Sequence, residues 1–288
     1  MASRRPMLRP GASVLRRDAS HLQVGTSPGV VVSDRPGLHR LLLAIDGVHG
    51  PDWLAAQIPE LADDMPVLLE HLAAVGVVLD GAHCDGRRPE EARHLALTER
   101  DPADARLRHR LQVSLHADPG TRQLLDAAGH VLEEAGVQRS TNDDADVLVI
   151  ASTGEPARGP FVQAVQRRIP HLTVRLDEAV VRIGPFVVPG TSACLGCEDL
   201  HRIDWDPAWA ALLPQFGHRA AQHNLPAPGA VLRHVAAAEI AAGIVAVADR
   251  QRPMHAGVMV TVGPGLGVRH VRPVEFHHRC PCALLPRA

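Results

Sequence analysis

The sequence predicts an α/β protein made of two domains, and three observations lead to this fold class. Short extended runs precede helical patterns in the first third of the chain, strand and helix patterns alternate in the remainder, and two close pairs of cysteines lie far apart. The predicted boundaries are residues 1–80 for the first domain, 81–106 for a polar linker and 107–288 for the second domain.

The first domain is predicted to combine short strands with short helices. Its extended runs are Ser13–Arg17, His21–Gly25 and Val30–Ser33, and Val77–Leu79 is a candidate closing strand. The three helical patterns are one with Leu38, Leu41, Leu42 and Ile45 on one face, Trp53–Ile58, and one with an apolar stripe of Val67, Leu68, Leu72 and Val75. Three strands followed by three helices is a winged-helix-like arrangement.

The second domain alternates strand and helix patterns, which predicts a parallel sheet with helices on its faces. The strands are Leu111–Leu115, Asp146–Ala151 and His171–Leu176, and the helices between them are Thr121–Ala135 and Gly159–Arg168. A hairpin around Gly184 is predicted from Val180–Ile183 and Pro185–Val188. The last predicted elements are helices at Pro207–Phe216 and Pro228–Arg250 and a hairpin of Met259–Val262 with Val268–Val274.

Composition and charge exclude several functional classes. The formal net charge of −2 gives no general electrostatic attraction to nucleic acid. No apolar run reaches the roughly 18–20 residues of a membrane span, and no apolar stretch of the kind found in secretory signals follows the charged N-terminus. Five cysteines, mostly in close pairs, suit metal binding in a reducing compartment. We therefore expect a cytoplasmic protein without membrane or nucleic-acid partners.

The two cysteine pairs have the spacing of metal ligands. Cys194 and Cys197 form a C-x2-C pattern, and Cys280 and Cys282 form a C-x-C pattern. Each pair can present two thiolates on one side of a short loop, so folding can bring four thiolates around one tetrahedral zinc ion. Because four thiolates leave no coordination position open, such a zinc would be structural rather than catalytic.

Two other interpretations of these cysteines stay open at the level of sequence. The four could be ordinary small residues of a hydrophobic core, since free cysteine is often buried. Alternatively, His277 or His278 could replace Cys280 or Cys282 as a ligand. Cys84 stands alone in the predicted linker, without the basic partner or helix N-terminus that activates a thiol.

The segment that follows the first strand of the second domain lacks the pattern of a nucleotide-binding loop. It reads SLHADPGTRQLL, with Gly120 as its single glycine and Pro119 without an N–H group. No lysine occurs in the chain, and the next strand ends in ASTGEP, without a carboxylate at its tip for magnesium. A helix starting at Thr121 would attract an anion only weakly, and GPGLG at 263–267 is predicted to be a turn. The sequence therefore gives little support for ATP binding.

Three segments resemble actinobacterial proteins of the ThiF family. They are RRDASHLQVG near the N-terminus, GPFVVPGTSACLGCEDLHRIDWDPAWAALLPQ in the second domain, and HHRCPCA near the C-terminus. Members are known as bacteriocin-type cyclodehydratase or leader-peptide-binding proteins, from the biosynthesis of ribosomally made, modified peptides (RiPPs). The resemblance implies a winged-helix peptide clamp before a Rossmann-type domain like that of ubiquitin-activating enzymes. The loop DPGT, the absence of Lys and the strand end AST depart from the pattern of active members and make this domain a degenerate one. The resemblance also assigns zinc to Cys194, Cys197, Cys280 and Cys282.

The resemblance implies a function in binding a precursor (leader) peptide. Such a peptide can add as a strand to the edge of a small sheet. Here the edge would be Val30–Ser33, with Val30, Val31 and Val32, and the helix Met65–Val75, with Leu68 and Leu72, would form the opposite wall. Alternatively, these residues only pack the first domain.

The resulting hypothesis is a non-catalytic scaffold that presents the peptide to a modifying enzyme such as a YcaO-type cyclodehydratase. Whether the chain is itself an enzyme stays open: the alternative is an ATP-dependent adenylating enzyme of the ThiF type that uses Arg in place of Lys. A winged-helix DNA-binding protein is a third hypothesis, which the near-neutral charge disfavours. A homodimer is a further expectation from the resemblance.

Overall fold

The computed structural model describes residues 5–26, 29–81, 108–140, 145–177, 179–216, 228–263 and 269–285. The chain forms two compact units, Met1–Pro102 and Ala103–Ala288. Each unit has its own hydrophobic core. Cys84, nearly all of the predicted linker and most of the GPGLG turn lie outside the described residues.

The first unit contains two small antiparallel sheets. Strands β2 (Val14–Arg16), β3 (His21–Val24) and β4 (Val30–Ser33) form a three-stranded sheet in that order. Strand β1 (Pro6–Leu8) pairs with β5 (Val78–Asp80), and this pairing closes the unit. The sequence pattern predicted β2 to β5 but not β1, which is too short to show an alternation.

Three helices pack against these strands: α1 (Leu38–Ala44), α2 (Pro51–Gln57) and α3 (Met65–Ala74). The predicted apolar stripe of α3 is only partly correct. Leu68 and Leu72 are buried, but Val67 is 71% exposed and Val75 is 37% exposed. The buried face consists of Met65, Leu68, Leu69 and Leu72, which have the i, i+3, i+4, i+7 spacing of one helix face.

The second unit is built on a mixed seven-stranded sheet. Its strands are β6 (Gln112–Ala117), β7 (Gln138–Ser140), β8 (Val147–Thr153), β9 (His171–Asp177), β10 (Val180–Val187), β11 (Val258–Val262) and β12 (Arg269–Pro273). Their order is β12-β11-β10-β9-β8-β6-β7. The pairs among β6, β7, β8 and β9 are parallel, and those from β9 to β12 are antiparallel.

The predicted hairpin around Gly184 is wrong, because β10 runs without a reversal from Val180 to Val187. The strand pairs with β9 along both halves and has a bulge between Ile183 and Phe186. Gly184 has φ 112° and lies so close to the carbonyl oxygen of Val258 that a Cβ would collide with it. Glycine here therefore permits a bulge and a close approach of β11 instead of a turn.

Helices cover both faces of the large sheet. On one face, α4 (Arg122–Glu134) and α8 (Ala230–Ala248) pack with the strands into the main core. On the other face lie α5 (Gly159–Gln166), α6 (Leu195–Trp205) and the short α7 (Trp209–Leu212). Helix α8 is long and apolar enough to cross a membrane, but its buried residues form one wall of this core.

Candidate metal centre and candidate binding groove

Helix α6 positions the first cysteine pair. Cys194 immediately precedes the helix in an extended conformation, and the N–H of Cys197 donates to the carbonyl oxygen of Cys194 at 3.0 Å. The first turn of the helix therefore places both sulfurs on the same side. The sequence predicted a tight C-x2-C loop here and missed the eleven-residue helix that follows Cys194.

The second cysteine pair comes from the C-terminal segment and meets the first pair. Cys280 and Cys282 flank Pro281 at the start of a short 3-10 helix, Pro281–Leu284. The Sγ–Sγ distances are 3.6 Å for Cys194 and Cys280, 3.3 Å for Cys197 and Cys282, and 3.4 Å for Cys280 and Cys282. All four sulfurs lie within 4.8 Å of one another. Around a tetrahedral zinc with bonds of about 2.3 Å they would be about 3.8 Å apart, so their arrangement fits such an ion.

The surroundings of the four sulfurs also fit a closed metal site. All four cysteines are buried, and they pack with Val187, Ala193, Met259 and Val274. Hydrogen bonding with Cys197 raises the pKa of the Cys194 thiol, while hydrogen bonding from Cys194 lowers the pKa of Cys197. The thiols therefore resist ionising together unless a cation offsets their charge. The four cysteines form a possible metal-binding site, and Cys194, Cys280 and Cys282 line one side of a cleft beside α6.

Both ring nitrogens of His277, one of the two alternative ligands near Cys280, are engaged elsewhere. His277 Nε2 lies 2.7 Å from Asp204 Oδ2, and its Nδ1 accepts the backbone N–H of Arg279 at 3.1 Å. Among the described residues, the group that could hold a metal consists of the four cysteines alone. The geometry thus favours the all-cysteine set over the set with a histidine.

A buried ion-pair network fixes α6 to the sheet. Arg175 of β9 donates to Glu155 Oε1 at 2.7 Å and lies 3.3 Å from Glu198, the residue next to Cys197. Next to this pair, Arg158 forms a bidentate ion pair with Asp199, and both nitrogen–oxygen distances are 2.7 Å. The network holds the start of α6, and with it the first cysteine pair, in a fixed position. In the sequence this network shows only as scattered charged residues.

The carboxylate of Asp118 occupies the turn where a nucleotide-binding loop would lie. Its Oδ1 accepts the N–H and the hydroxyl of Thr121 at 2.9 and 2.8 Å, and its Oδ2 accepts the N–H of Thr153 at 2.6 Å. Gly120 packs directly against the Thr153 hydroxyl, where a Cβ would collide. The N–H group of Thr121, just before α4, and that of Thr153, at the tip of β8, therefore already bind a carboxylate of the chain where a phosphate could otherwise have been bound.

A groove lies between strand β4 and helix α3 in the first unit. It has a volume of about 490 Å³. Val31, Val32, Leu68 and Leu72 line it, together with Ser33, Arg35, Leu38, Asp64, Val67, His71 and Val75. Of the predicted groove residues, Val30 does not line it and instead packs against the core of the unit. Val31 and Val67 expose 45% and 71% of their surfaces, so the groove presents apolar side chains to solvent.

Strand β4 has one unpaired edge within the described part of its sheet. It pairs with β3 on one side, and the order of the sheet ends with it. The N–H of Asp34 donates to Ser20, so the ladder places the backbone groups of Val30 and Val32 toward β3. The N–H and carbonyl groups of Val31 and Ser33 therefore face outward, toward the side where a further strand would pair.

Comparisons with known proteins show which folds this chain shares. No family model matches the sequence, and a comparison with curated proteins finds no match. Among solved structures, the heterocyclase TruD has a TM-score of 0.74 at 18% identity, over 96% of this chain and 42% of that one. A heterocyclase in complex with substrate and cofactor has a TM-score of 0.72 at 17% identity, over 96% of this chain and 39% of that one.

Escherichia coli MccB in a structure with MccA also shares the fold. Its TM-score is 0.59 at 14% identity, over 96% of this chain and 99% of that one. At these identities the likeness shows the fold alone. The chain thus spans about two fifths of the length of the heterocyclases and nearly the full length of MccB.

Proposed function

We propose that this protein is a non-catalytic scaffold of RiPP biosynthesis that binds a precursor peptide in the groove between β4 and α3. The observation that carries the proposal is the open edge of β4 beside an exposed apolar wall. A natural protein usually covers or charges such an edge, because unpaired strand edges invite pairing with other chains. The unpaired edge of β4, next to Val67 and Val75, could therefore pair with the backbone of a specific peptide.

The proposed recognition is strand addition. The outward N–H and carbonyl groups of Val31 and Ser33 would bond to the backbone of the peptide and supply affinity. Side chains at alternate positions of the peptide would face α3, where Val67 and Val75 would select apolar residues. In this proposal the first unit is the winged-helix-like clamp.

Three observations support a role without adenylation chemistry for the second unit. Asp118 fills the turn after β6, so an incoming phosphate would have to displace a carboxylate that accepts four hydrogen bonds. The sequence supplies no lysine. The four cysteines form a buried, closed group, which suits a structural zinc rather than a reactive one. We therefore propose that the second unit has a ThiF-like fold with a structural role and no adenylation activity.

The modification chemistry is assigned to a partner. The heterocyclases that share the fold are more than twice as long as the part this chain matches, and one is described in complex with substrate and cofactor. MccB, which is matched along its length, is described with MccA. We therefore propose that a separate enzyme, such as a YcaO-type cyclodehydratase, modifies the peptide held here.

Isothermal titration against the short precursor peptides encoded beside the gene tests the proposal. We expect wild type to bind one of them, and Val67→Glu to weaken binding at least tenfold because a carboxylate would enter the apolar wall. Val48→Glu is the matched control, since Val48 is 67% exposed in the same unit but does not line the groove. Mg-ATP should leave the affinity unchanged.

Two results would count against this function. If none of the encoded peptides binds, the scaffold hypothesis loses its ligand. If the peptide binds only in the presence of Mg-ATP, and ATP is consumed, the alternative adenylating enzyme is the better description.

A further inference from the structure

The wall that α3 presents to the peptide groove consists of two rows of side chains. The inner row is Leu68 and Leu72, which are buried, and the outer row is Val67, His71 and Val75, which are exposed. Members of one row are four residues apart, so they follow one another at about 6.0 Å along the helix axis. The outer row is therefore apolar at both ends and has an imidazole in the middle.

His71 is the polar member of this wall, and its side chain makes no hydrogen bond or ion pair within the described ranges. Arg35 and Asp64 also line the groove, but they form an ion pair with each other at 3.3 Å. Because Asp64 immediately precedes α3, this pair lies at the N-terminal end of the wall. The middle of the groove thus offers one polar side chain without a partner, and histidine can carry a positive charge.

A peptide strand has nearly the same spacing as the outer row. Alternate residues of a strand point to the same face and lie about 6.4–6.8 Å apart, against about 6.0 Å for the row. Over three positions the difference adds up to only about 1 Å. Three alternate side chains of the peptide can therefore meet Val67, His71 and Val75 one to one. Since the row is apolar at both ends, this order holds for either direction of the strand.

The next step rests on the proposed peptide-binding function. We propose that the groove selects peptides with the pattern apolar-x-acidic-x-apolar, in which the carboxylate lies at His71 and the apolar side chains contact Val67 and Val75. A carboxylate accepts a hydrogen bond from the ring, and this bond is stronger when the imidazole is charged. An apolar residue at the middle position would instead cover the ring and leave its N–H group unpaired.

Selection from a library of random twelve-residue peptides displayed on phage tests this pattern on the full chain. Clones that also bind Val67→Glu are discarded, so that the clones kept depend on the groove. We expect wild type to enrich apolar-x-acidic-x-apolar, and His71→Leu to enrich apolar residues at all three alternate positions. His39→Leu should enrich the same pattern as wild type, since His39 lies on α1 of the same unit and does not line the groove.

The affinities of one enriched peptide and of its acid-to-amide version give a second measurement. In wild type, fluorescence anisotropy should show about threefold tighter binding of the acid at pH 7. This ratio should be larger at pH 6 than at pH 8, because histidine gains its charge in that interval while carboxylates and guanidinium groups keep theirs. In His71→Leu the preference for the acid should disappear.

The possible failures of this inference and of the proposed function are distinguishable. Peptides that depend on the groove but have no acid at the middle position overturn the inference and leave peptide binding in place, and so does an unchanged acid preference in His71→Leu. If wild type enriches no peptide that Val67→Glu fails to bind, the proposed function is wrong and this inference is wrong with it.

Discussion

Arg175 is the largest fully buried side chain in the described part of the chain. Two carboxylates balance its positive charge. Glu155 and Glu198 lie 2.7 and 3.3 Å from its guanidinium nitrogens. Burial by itself would raise the pKa of Glu155, but the charges of Arg175, Arg158 and Arg202 outweigh it, so the pKa lies below its usual value of 4.5. Glu155 therefore stays ionised and holds the network together at neutral pH.

We expect Glu155→Gln to lower the free energy of unfolding by about 3 kcal/mol at pH 7, because it removes the nearer of the two counter-charges of a buried arginine. A carboxyl group whose pKa falls on folding stabilises the protein above its unfolded pKa and loses that effect as the pH falls through the folded value. The difference between wild type and variant should thus be constant from pH 6 to 8 and shrink below about pH 4.5. Urea unfolding at several pH values measures it.

Glu60→Gln is the matched control for this prediction. Glu60 pairs with Arg40 on the surface of the first unit, where both side chains are about half exposed. Exposed ion pairs contribute about 0–1 kcal/mol, so we expect a small loss of stability. Equal effects of the two variants would show that the network around Arg175 is not essential.

At the scale of elements, the four cysteines join the start of α6 to the C-terminal turn. We expect the purified chain to contain one zinc ion, and Cys197→Ser to lose it together with cooperative unfolding of this region, because structural zinc contributes directly to folding. Cys84→Ser should retain the zinc, since four thiolates complete the coordination without it. Native mass spectrometry of wild type and the two variants counts the bound metal. If wild type contains no zinc at any stage of purification, the four cysteines are not a zinc site.

The elements also show where sequence patterns were sufficient. Strands β4 and β9 and helix α8 were predicted to within a few residues, because each has a clear run or period of apolar side chains. Each close pair of cysteines was recognised as a candidate metal-binding pair from its spacing, which is a local property of the sequence. Helix α6 was missed because it lacks an apolar stripe. Its buried residues are Leu195, Cys197, Glu198 and Asp199, all in the first two turns.

Other features depend on contacts between distant residues and carry no local pattern. The continuity of β10 through Gly184 depends on the approach of β11, some seventy positions later in the chain. The role of Asp118 depends on Thr153, which lies 35 positions later in the chain. Asp118 could not be distinguished in the sequence from the many other Asp residues.

At the scale of the whole molecule, the two units differ in which groups are available to bind a ligand. The first has, within its described residues, an unpaired strand edge beside apolar side chains, and the second fills the turn after β6 with the carboxylate of Asp118 and buries four cysteines. This division fits the proposal that the first unit binds the peptide and that the second carries no adenylation chemistry.

The most direct test is amide hydrogen exchange of the full chain with and without the precursor peptide that binds in the titration. We expect the N–H groups of Val31 and Ser33, which face the open edge, to become protected when the peptide is present, while those of Val30 and Val32 change little because they already pair with β3. Protection confined to other parts of the chain, with Val31 and Ser33 exchanging as fast as before, would contradict peptide binding at β4.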